Sequence, residues 1–384
     1  MMKLNKDKWE NRPFSFVAEC IEKHDKNPFL NGITKFVGLE NLDGINLKII
    51  GYGNIENGTT FTKTFNLGDA LFGKRRPYLK KVAVADFKGI CSGDILVFRP
   101  KKDKILPTLL PLYVSSDGFI QYAISTSAGS LSPRTKWRDL ATYEISLPPI
   151  SEQHHIVSIF ESIETAIEQM EIQEKNLLNL KNQLLQELFN DKLQFGNYLS
   201  EKDFEKIKFD KIAINISERV EPKKTELTTY VGLEHLDADN LKIERRGTPD
   251  DVIGTKLKIY KGDIIFGKRR AYLRKVAVSD FNGIASAHSM ILRANETNIE
   301  KNFLPYFMQS DTFMNRAVEI SEGSLSPTIK WKTLAQQEFI LPKKERQKKL
   351  ADIFKQFDKT REQLKYQKTT LKTLKQKLLN EVLG

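Results

Sequence analysis

The segment GDALFGKRRPYLKKVAVADFKGICS, residues 68–92, returns as GDIIFGKRRAYLRKVAVSDFNGIAS at residues 262–286, which lie 194 positions further along the chain. The same offset relates three further pairs of segments: FVGLENLD at Phe36 and YVGLEHLD at Tyr230, GSLSPRTKW at Gly129 and GSLSPTIKW at Gly323, and LLQEL at Leu184 and LLNEV at Leu378. Shared composition does not produce one gap-free register over this length. The chain therefore consists of two copies of one unit, and the fold of one copy should recur in the other.

Each copy contains a mixed segment followed by a helical one. Residues 1–147 and 191–341 combine short β-type runs with glycine and proline, which is typical of a globular α+β domain. Residues 148–190 and 342–384 are the helical parts. From residues 151 and 345 onward they contain no interior glycine or proline, and their apolar residues recur at spacings of three and four, which predicts one long helix in each. The predicted seam positions are Ile156, Phe160, Ile163, Ile167, Leu177, Leu184, Leu350, Phe354, Phe357, Leu364, Leu371 and Leu378.

The two predicted helices carry opposite net charges. Residues 148–190 hold two basic and seven acidic side chains, whereas residues 342–384 hold thirteen basic and five acidic ones. A long helix with an apolar seam needs a partner, and oppositely charged helices of equal length favour each other. We therefore expect two long helices that form an antiparallel coiled coil and relate the two globular domains by a pseudo-two-fold axis. The alternative is that each helix docks only on its own globular domain.

The composition is that of a basic globular protein. The 384 residues include 61 Lys and Arg against 49 Asp and Glu, a net charge of +12, which predicts a polyanionic partner. Two cysteines are too few for a disulfide-stapled fold or a Cys-rich zinc module, and five histidines leave little material for a metal site. The polar start MMKLNKDKWE and the lack of a long apolar run predict a soluble, cytoplasmic protein with no membrane contact.

A basic turn recurs inside each quoted segment. KRRPY at residues 74–78 and KRRAY at residues 268–272 each place three cations beside a predicted strand, followed by an aromatic ring. Such a turn can clamp DNA phosphates, and a tyrosine can stack or bond to the DNA backbone; the alternative is a solvated turn without a ligand. The candidate DNA-backbone contacts are Lys74, Arg75, Arg76, Tyr78, Lys268, Arg269, Arg270 and Tyr272, with Lys136 and Lys330 of the GSLSPxxKW segments.

The glycines of these turns match a nucleotide-binding P-loop only in part. The final serine or threonine of that motif is replaced by Arg75 and Arg269, and a β-type run rather than a helix follows. The sequence also lacks the F-x-G-x-G and [DN]-P-P-[YF] motifs of adenine methyltransferases, and it has no H-E-x-x-H, C-x-x-C or G-x-S-x-G motif. We therefore predict a binding protein that has no catalytic residues and no metal site of its own.

These features together resemble one known family. The alternation of globular domain and long helix, the pattern GD-[AI]-[LI]-F-G-K-R-R-x-Y-L, the segment G-S-L-S-P-x-x-K-W and the helix start LPPISEQ are similar to the specificity subunit of type I restriction–modification systems, over essentially the whole chain. The resemblance implies that the globular parts are target recognition domains, one for each half of a bipartite site in double-stranded DNA, and that the helices are spacers.

The resemblance also implies partners and cofactors. Two methyltransferase (modification) subunits would bind this chain, and restriction/translocase subunits would join for restriction. S-adenosylmethionine, ATP and magnesium would be carried by those partners, with no cofactor in this chain. The second helix begins LPKKERQ where the first begins LPPISEQ, so equivalent partner contacts by the two helices do not follow.

The two repeats diverge where discrimination between DNA sequences is expected. Residues 50–67 and 244–261 share only Gly53 with Gly247, and residues 93–102 and 287–296 share only Arg99 with Arg293. Because identical segments cannot read different sequences, we place base-reading side chains in the divergent ones; the alternative is that these are drifting loops. The candidates are Tyr52, Asn54, Asn57, Thr60 and Lys63 in the first copy, and Arg245, Arg246, Asp250, Lys256 and His288 in the second.

The predicted helix pair would act as a ruler between the half-sites. Lengthening either helix by one heptad, ~10 Å, should change the DNA spacer by about three base pairs. Two other functions stay open on the sequence alone. One is a stand-alone sequence-specific DNA-binding regulator or architectural protein, and the other is a coiled-coil scaffold whose basic turns only face solvent.

Overall fold

A computed structural model describes residues 6–44, 46–189 and 198–384, and the chain divides into two compact units. The first unit comprises Met1–Glu171 and Tyr366–Gly384, and the second is the continuous stretch Ile172–Lys365. The expected boundary between residues 190 and 191 lies outside the described residues. The four domain ranges expected from the sequence therefore stay a prediction.

The first unit contains twelve strands and four short helices in its described residues. The strands are β1 (Glu10–Pro13), β2 (Ala18–Cys20), β3 (Lys35–Val37), β4 (Leu42–Asp43), β5 (Lys48–Ile49), β6 (Gly53–Asn54), β7 (Lys63–Phe65), β8 (Ala70–Gly73), β9 (Val82–Val84), β10 (Gly89–Cys91), β11 (Ile95–Pro100) and β12 (Glu144–Leu147). The helices are α1 (Phe14–Val17), α2 (Leu110–Ser115), α3 (Asp117–Ser125) and α4 (Trp137–Leu140), with 3-10 turns at Lys6–Lys8, Leu39–Asn41, Ile55–Asn57 and Pro77–Leu79.

An antiparallel sheet with the strand order β2-β11-β8-β9 lies at the centre of the first unit. A mixed sheet, β6-β3-β10-β7, includes the parallel pair β3–β10, while β1 pairs with β12 and β4 with β5. Successive side chains of a strand point to opposite faces. Leu96 and Phe98 of β11 therefore join a cluster with α2 and α3, whereas Ile95 and Val97 pack with residues of the mixed sheet.

The second unit repeats this plan. Its strands are β13 (Phe204–Lys208), β14 (Ala213–Ile216), β15 (Arg219–Val220), β16 (Tyr230–Val231), β17 (Lys256–Ile259), β18 (Ile264–Gly267), β19 (Val276–Val278), β20 (Gly283–Ala285), β21 (Ser289–Ala294) and β22 (Glu338–Pro342). Its short helices are α6 (Phe209–Ile212), α7 (Leu304–Gln309), α8 (Asp311–Glu319) and α9 (Trp331–Ala335), with 3-10 turns at Glu201–Asp203, Pro222–Lys224, Leu233–His235, Pro249–Asp251 and Ala271–Leu273.

The central sheets of the two units have the same strand order, and the mixed sheets share three equivalent strands but differ in the fourth, an edge strand. The central sheet has the order β14-β21-β18-β19, the mixed sheet β15-β17-β20-β16 contains the parallel pair β16–β20, and β13 pairs with β22. Met290 and Leu292 of β21 face one core cluster and Ile291 faces the other. Both units combine sheets with helices, so the predicted α+β class is confirmed.

A buried ion pair explains one identity between otherwise divergent segments. The carboxylate of Asp69, which is 2% exposed, accepts hydrogen bonds of 2.8 and 2.7 Å from the guanidinium of Arg99. Asp263 and Arg293 form the equivalent contact at 2.8 Å in the second unit. A buried carboxylate is costly unless it is paired. Arg99 and Arg293 therefore serve the fold of each unit.

Two long helices, α5 (Ile150–Phe189) and α10 (Lys344–Leu383), each divide between the units. In the first unit the beginning of α5 lies against the end of α10, where Glu164 pairs with Lys375 and Glu171 with Lys372. From the first pair to the second, the residue number rises along α5 and falls along α10, so these two segments run antiparallel. The opposite net charges of the two helices had predicted such pairing.

The ends of both helices also dock on the globular cores. In the first unit Ile156 and Phe160 of α5 join the core together with Leu379 and Val382 of α10. In the second unit Leu350 and Phe354 of α10 join the core together with Leu185 and Leu188 of α5. Pairing and docking, which the sequence posed as alternatives, therefore occur together. None of the helices in the described residues is long and apolar enough to cross a membrane.

Candidate nucleic-acid interface

The basic turn of the first unit begins where β8 ends. Its Lys74 N–H donates to the Asp94 carbonyl at 2.9 Å, and Arg76 adopts a left-handed conformation with φ of 52°. This residue reverses the chain, so that β9 returns alongside β8 after a single 3-10 turn. A P-loop would continue into a helix at this point. The cations of the turn therefore lie on the connection between β8 and β9.

The GSLSP loop lies directly against this turn. The Arg76 N–H donates to the Pro133 carbonyl at 2.7 Å, and the Thr135 N–H donates to the Lys74 carbonyl at 3.1 Å. Side chains add two bonds, from Arg75 to the Ser132 hydroxyl at 3.1 Å and from Arg76 to the Leu131 carbonyl at 3.3 Å. Residues 74–78 and 128–136, far apart in sequence, thus form one surface, which we call the turn–loop surface.

The second unit contains the same turn–loop surface, at residues 268–272 and 322–330. The Arg270 N–H donates to the Pro327 carbonyl at 2.8 Å, and the Ile329 N–H donates to the Lys268 carbonyl at 3.0 Å. Arg270 is left-handed with φ of 56°, and Arg269 donates to the Ser326 hydroxyl at 3.1 Å. Three of the four contacts between turn and loop are thus made twice with the same atoms.

Most predicted DNA-backbone residues are accessible on these surfaces. Arg76, Tyr78, Lys136, Arg270, Tyr272 and Lys330 are exposed, and Lys74, Arg75, Lys268 and Arg269 are half-buried. Lys330 forms an ion pair of 2.6 Å with Glu322 at the edge of the second surface. The structure therefore brings all ten residues onto two equivalent surfaces, and their role in DNA binding stays a prediction.

The residue beside the turn differs between the units. In the first unit Asp94 pairs with Arg134 at 2.8 Å and lies 3.6 Å from Arg75, and the hydrogen bond from Arg134 holds the pKa of Asp94 below its usual value. In the second unit His288 occupies this place, with its Nε2 3.2 Å from Arg269. Burial, then Arg269 and Lys268, lower the pKa of His288. The first surface thus contains an anion where the second contains a neutral imidazole.

The base-reading candidates of the first unit lie mostly on exposed loops. Asn54, Asn57 and Thr60 are exposed, and Tyr52 is 50% exposed. The ammonium of Lys35 lies 4.1 Å from the centre of the Tyr52 ring, and Phe87 makes an edge contact with it at 5.6 Å. Tyr52 is thus an ordered aromatic face that a base could stack on, while the three polar side chains are free to reach a groove.

The base-reading candidates of the second unit include two paired arginines. Arg245 pairs with Asp237, and Arg246 pairs with Asp280 at 2.8 Å while lying 3.9 Å from the centre of the Phe281 ring. Asp250 and His288 are exposed. Stacking on Phe281 orients the guanidinium of Arg246, which is the group most often used to read guanine.

The structure does not support Lys63 and Lys256 as base readers. The Lys63 side chain is 4% exposed and its ammonium pairs with Glu22 at 2.9 Å. The ammonium of Lys256 donates to the carbonyls of Ile253 and Gly254, and this residue is 9% exposed. Both ammonium groups are therefore satisfied within the fold and stabilise it.

Sequence reasoning missed two buried lysines on the long helices. The ammonium of Lys181, which is fully buried, pairs with Asp358 at 2.7 Å and lies 3.2 Å from Gln309. Lys375, 8% exposed, pairs with Glu164 in the first unit. Residues 181 and 375 are 194 positions apart, as are 164 and 358, so the repeat places the same ion pair in both units. That shared offset was the signal that could have revealed it.

The predicted helix-seam residues differ in how deeply they lie. Buried are Ile156, Phe160, Ile167, Leu350 and Phe354, and half-buried are Ile163, Leu177, Leu184, Phe357, Leu364, Leu371 and Leu378.

Sequence reasoning also missed two buried glutamines, Gln153 and Gln347, both 1% exposed. Their amides donate to the carbonyls of Pro148 at 3.0 Å and Pro342 at 2.8 Å. The shared Gln of LPPISEQ and LPKKERQ therefore ties each helix start to the strand before it.

The described residues contain no group of three or more His, Cys, Asp or Glu side chains that could hold a metal ion. What the site offers instead is a pair of rigid cationic surfaces beside loops that differ between the units. Such an arrangement can bind a polyanion at two places and distinguish the sequences there.

Comparison with known proteins assigns the family. A family profile described as the type I restriction modification DNA specificity domain matches residues 27–180 and 222–373. The type I restriction enzyme EcoDI specificity subunit of Escherichia coli is 30% identical over 182 residues, which are 47% of this chain and 40% of that subunit. The matched region thus spans less than half the length of that relative.

Solved structures share the fold over nearly the whole chain. The HsdS subunit from Thermoanaerobacter tengcongensis gives a TM-score of 0.52 at 20% identity, covering 99% of this chain and 97% of that one. The S subunit of a type I system from M. genitalium gives 0.54 at 15%, covering 100% and 98%, and a chain from a type I R-M complex assembly gives 0.63 at 19%, covering 99% and 98%. Because the family profile covers most of the chain in two copies that follow its internal repeat, this chain belongs to the family of type I restriction–modification DNA specificity subunits.

Proposed function

We propose that this chain recognises a bipartite DNA target, with one recognition domain for each half-site, and directs adenine methylation and restriction by partner subunits. The observation that carries this proposal is the duplicated turn–loop surface. Two equivalent cationic surfaces in one chain suit two contacts with the same kind of polyanion. The divergent loops beside them suit a target whose halves differ in sequence.

In this mechanism the turn–loop surfaces bind phosphates and the divergent loops read bases. Contacts to phosphates set the register and orientation of a protein on DNA but do not read its sequence. The exposed cations suited to such contacts are Arg76, Lys136, Arg270 and Lys330. Tyr52 and Arg246, each held against a neighbouring ring, are the residues best placed to discriminate bases. His288 belongs to a divergent segment and contacts Arg269 of the turn, so it can take part in both base reading and phosphate binding.

The chemistry of modification and restriction belongs, on this proposal, to other subunits. Two methyltransferase subunits would bring S-adenosylmethionine, and restriction/translocase subunits would bring ATP and magnesium. One of the chains that share this fold comes from a type I R-M complex assembly, which supports an assembling role for this chain as well. The long helices, which divide between the units, would fix the spacing of the half-sites.

Adenine-methylation mapping tests the proposal directly. The genome is mapped with this gene and its neighbouring methyltransferase gene present, and again with this gene alone deleted. A bipartite motif that vanishes on deletion is expected, and it reveals both half-sites and the spacer. An unchanged methylome in cells that express both proteins would instead indicate a stand-alone DNA-binding protein.

A further inference from the structure

The tip of the GSLSP loop presents a leucine to solvent in both units. The side chain of Leu131 is 89% exposed and that of Leu325 is 91% exposed. A single exposed leucine on a protein surface is ordinary. Here, however, the same leucine is exposed at the same repeat position, within five identical residues. Whatever covers these side chains should therefore have the same chemistry at both places.

Each tip is rigid. Gly129 and Gly323 have φ values of 112° and 106°, a conformation that favours glycine, and a proline follows two residues after each leucine. Paired main-chain hydrogen bonds close both loops, between Ala128 and Arg134 at 3.0 Å and between Glu322 and Thr328 at 2.9 and 3.1 Å. A preformed loop loses little conformational entropy when its tip is buried by a ligand.

Guanidinium groups lie beside each tip. The Arg76 guanidinium donates to the carbonyl of Leu131 itself, and Arg75 donates to the hydroxyl of the next residue, Ser132. In the second unit Arg269 donates to Ser326 in the same way. An exposed apolar side chain with guanidinium groups beside it suits a ligand that has an apolar interior and an anionic exterior. Stacked base pairs between two phosphate strands have that chemistry.

We propose that Leu131 and Leu325 are wedges that insert between base pairs of duplex DNA, one in each half-site. The turn–loop cations hold the flanking phosphates while the leucine partly unstacks one step. Leucine is among the apolar residues that proteins use in this way, and stacking faces exist at every base step, which fits a tip that is identical in both units. The inference rests on the proposed function, because it needs the chain to bind DNA.

Permanganate reactivity of thymines tests the wedge, since permanganate attacks thymines that are unstacked. The probe is a short duplex carrying the motif that methylation mapping assigns to this chain, prepared as a set with thymine moved through each position that the motif leaves free. Wild-type protein should produce one hyperreactive region in each half-site. Leu131→Ala should abolish one region and Leu325→Ala the other, with about tenfold weaker binding for each.

Two controls separate a wedge from a general surface effect. Leu30→Ala removes an 83% exposed leucine outside the divergent segments, at a position where the second copy has Lys224, and it should change neither reactivity nor affinity. Leu131→Phe should retain the hyperreactive region, because an aromatic ring also wedges. The salt dependence of binding should stay the same in all four variants, since no cation is altered.

Three results would overturn the wedge. One is an alanine variant whose permanganate pattern and affinity equal those of wild type. Another is an alanine variant that binds DNA normally but no longer assembles with the methyltransferase, which would make the tips protein contacts. The third is wild-type protein that does not distinguish the motif duplex from a scrambled one; that result alone would also remove the proposed function.

Discussion

The two units have the same repeated sequence, but one is formed from a single continuous segment of the chain and the other from two separate segments. The second unit is the continuous stretch Ile172–Lys365, whereas the first needs Tyr366–Gly384 from the far end of the chain. Leu379, Val382 and Leu383 are buried in the core of the first unit. At the equivalent positions the second unit uses Leu185, Leu188 and Phe189. Each unit therefore takes its final helix segment from the other repeat, so the sequence repeat is not the folding unit.

The largest expected effect comes from removing the C-terminal helix segment that the first unit needs. Deleting residues 376–384 should lower the free energy of unfolding of the first unit by about 6 kcal/mol, because three buried aliphatic side chains at ~2 kcal/mol each are lost. The fragment 172–365 should fold cooperatively alone, since it contains its whole core. Denaturant unfolding followed by circular dichroism measures both. A truncated chain as stable as the full one, or an unfolded 172–365 fragment, would refute this account of the two units.

The buried lysine–carboxylate pairs on the long helices also differ between the two units. The carboxylate of Asp358 accepts from Lys181 at 2.7 Å and from the Tyr306 hydroxyl at 2.9 Å, so the pair in the second unit has a third member. The residue equivalent to Tyr306 in the first unit is Leu112. Burial lowers the pKa of Lys181, and Asp358 opposes that shift. The second pair is thus deeper and better satisfied than the pair between Lys375 and Glu164.

Removing one partner should cost more in the second unit than in the first. Lys181→Met leaves Asp358 without its cation and should lower the free energy of unfolding by about 3 kcal/mol, whereas Lys375→Met should cost about 2 kcal/mol. Lys372→Met, in a more exposed pair, is the control and should cost under ~1 kcal/mol. Equal losses for all three variants in denaturant unfolding would mean that burial does not distinguish these pairs.

A double variant tests whether the loss comes from the unpaired charge. Asp358→Asn keeps an acceptor for the Tyr306 hydroxyl while removing the carboxylate. Combined with Lys181→Met, it should therefore recover much of the lost stability. No recovery would indicate that lost packing of the lysine stem, rather than charge, dominates.

The turn–loop surfaces should differ in how strongly they depend on their cations. Replacing residues 74–76 with alanine should weaken DNA binding by about 2 kcal/mol, ~30-fold, and should flatten the salt dependence. Replacing residues 268–270 should weaken it more, because Asp94 lies 3.6 Å from Arg75 of the first turn, whereas the residue beside Arg269 of the second turn is His288. Titrations at several salt concentrations measure both. Loss of discrimination at one half-site with an unchanged salt slope would make the turn a base reader instead.

The smallest expected effect concerns pH. Because the folded state lowers the pKa of His288, the unfolded chain takes up the proton first as pH falls below ~6.5. The stability contributed by the neutral imidazole is present above that pH and is lost below it. His288→Asn should remove this part of the pH dependence, measured as the difference in unfolding free energy between wild type and variant from pH 7 to 5.5. An identical pH dependence in both proteins would contradict it.

The sequence predicted the repeat, the α+β class and the long helices, because these rest on local patterns that recur at one offset. It could not predict that each helix divides between two units, since that depends on contacts between segments nearly two hundred residues apart. Lys63 shows the same limit at the site. It lies in a divergent segment, but its burial follows from Glu22, whose position beside β7 no local pattern reveals.

The junction between turn and loop is made chiefly by main-chain groups, and this has an evolutionary consequence. Arg134 of the first loop corresponds to Thr328 of the second, yet the backbone pairing at that residue is the same in both. Side chains around the junction can therefore change without loss of the main-chain frame that holds the turn against the loop. On the proposed function, a chain built this way can acquire a new DNA target by substitution in its loops, while the surface proposed to bind the DNA backbone keeps its structure.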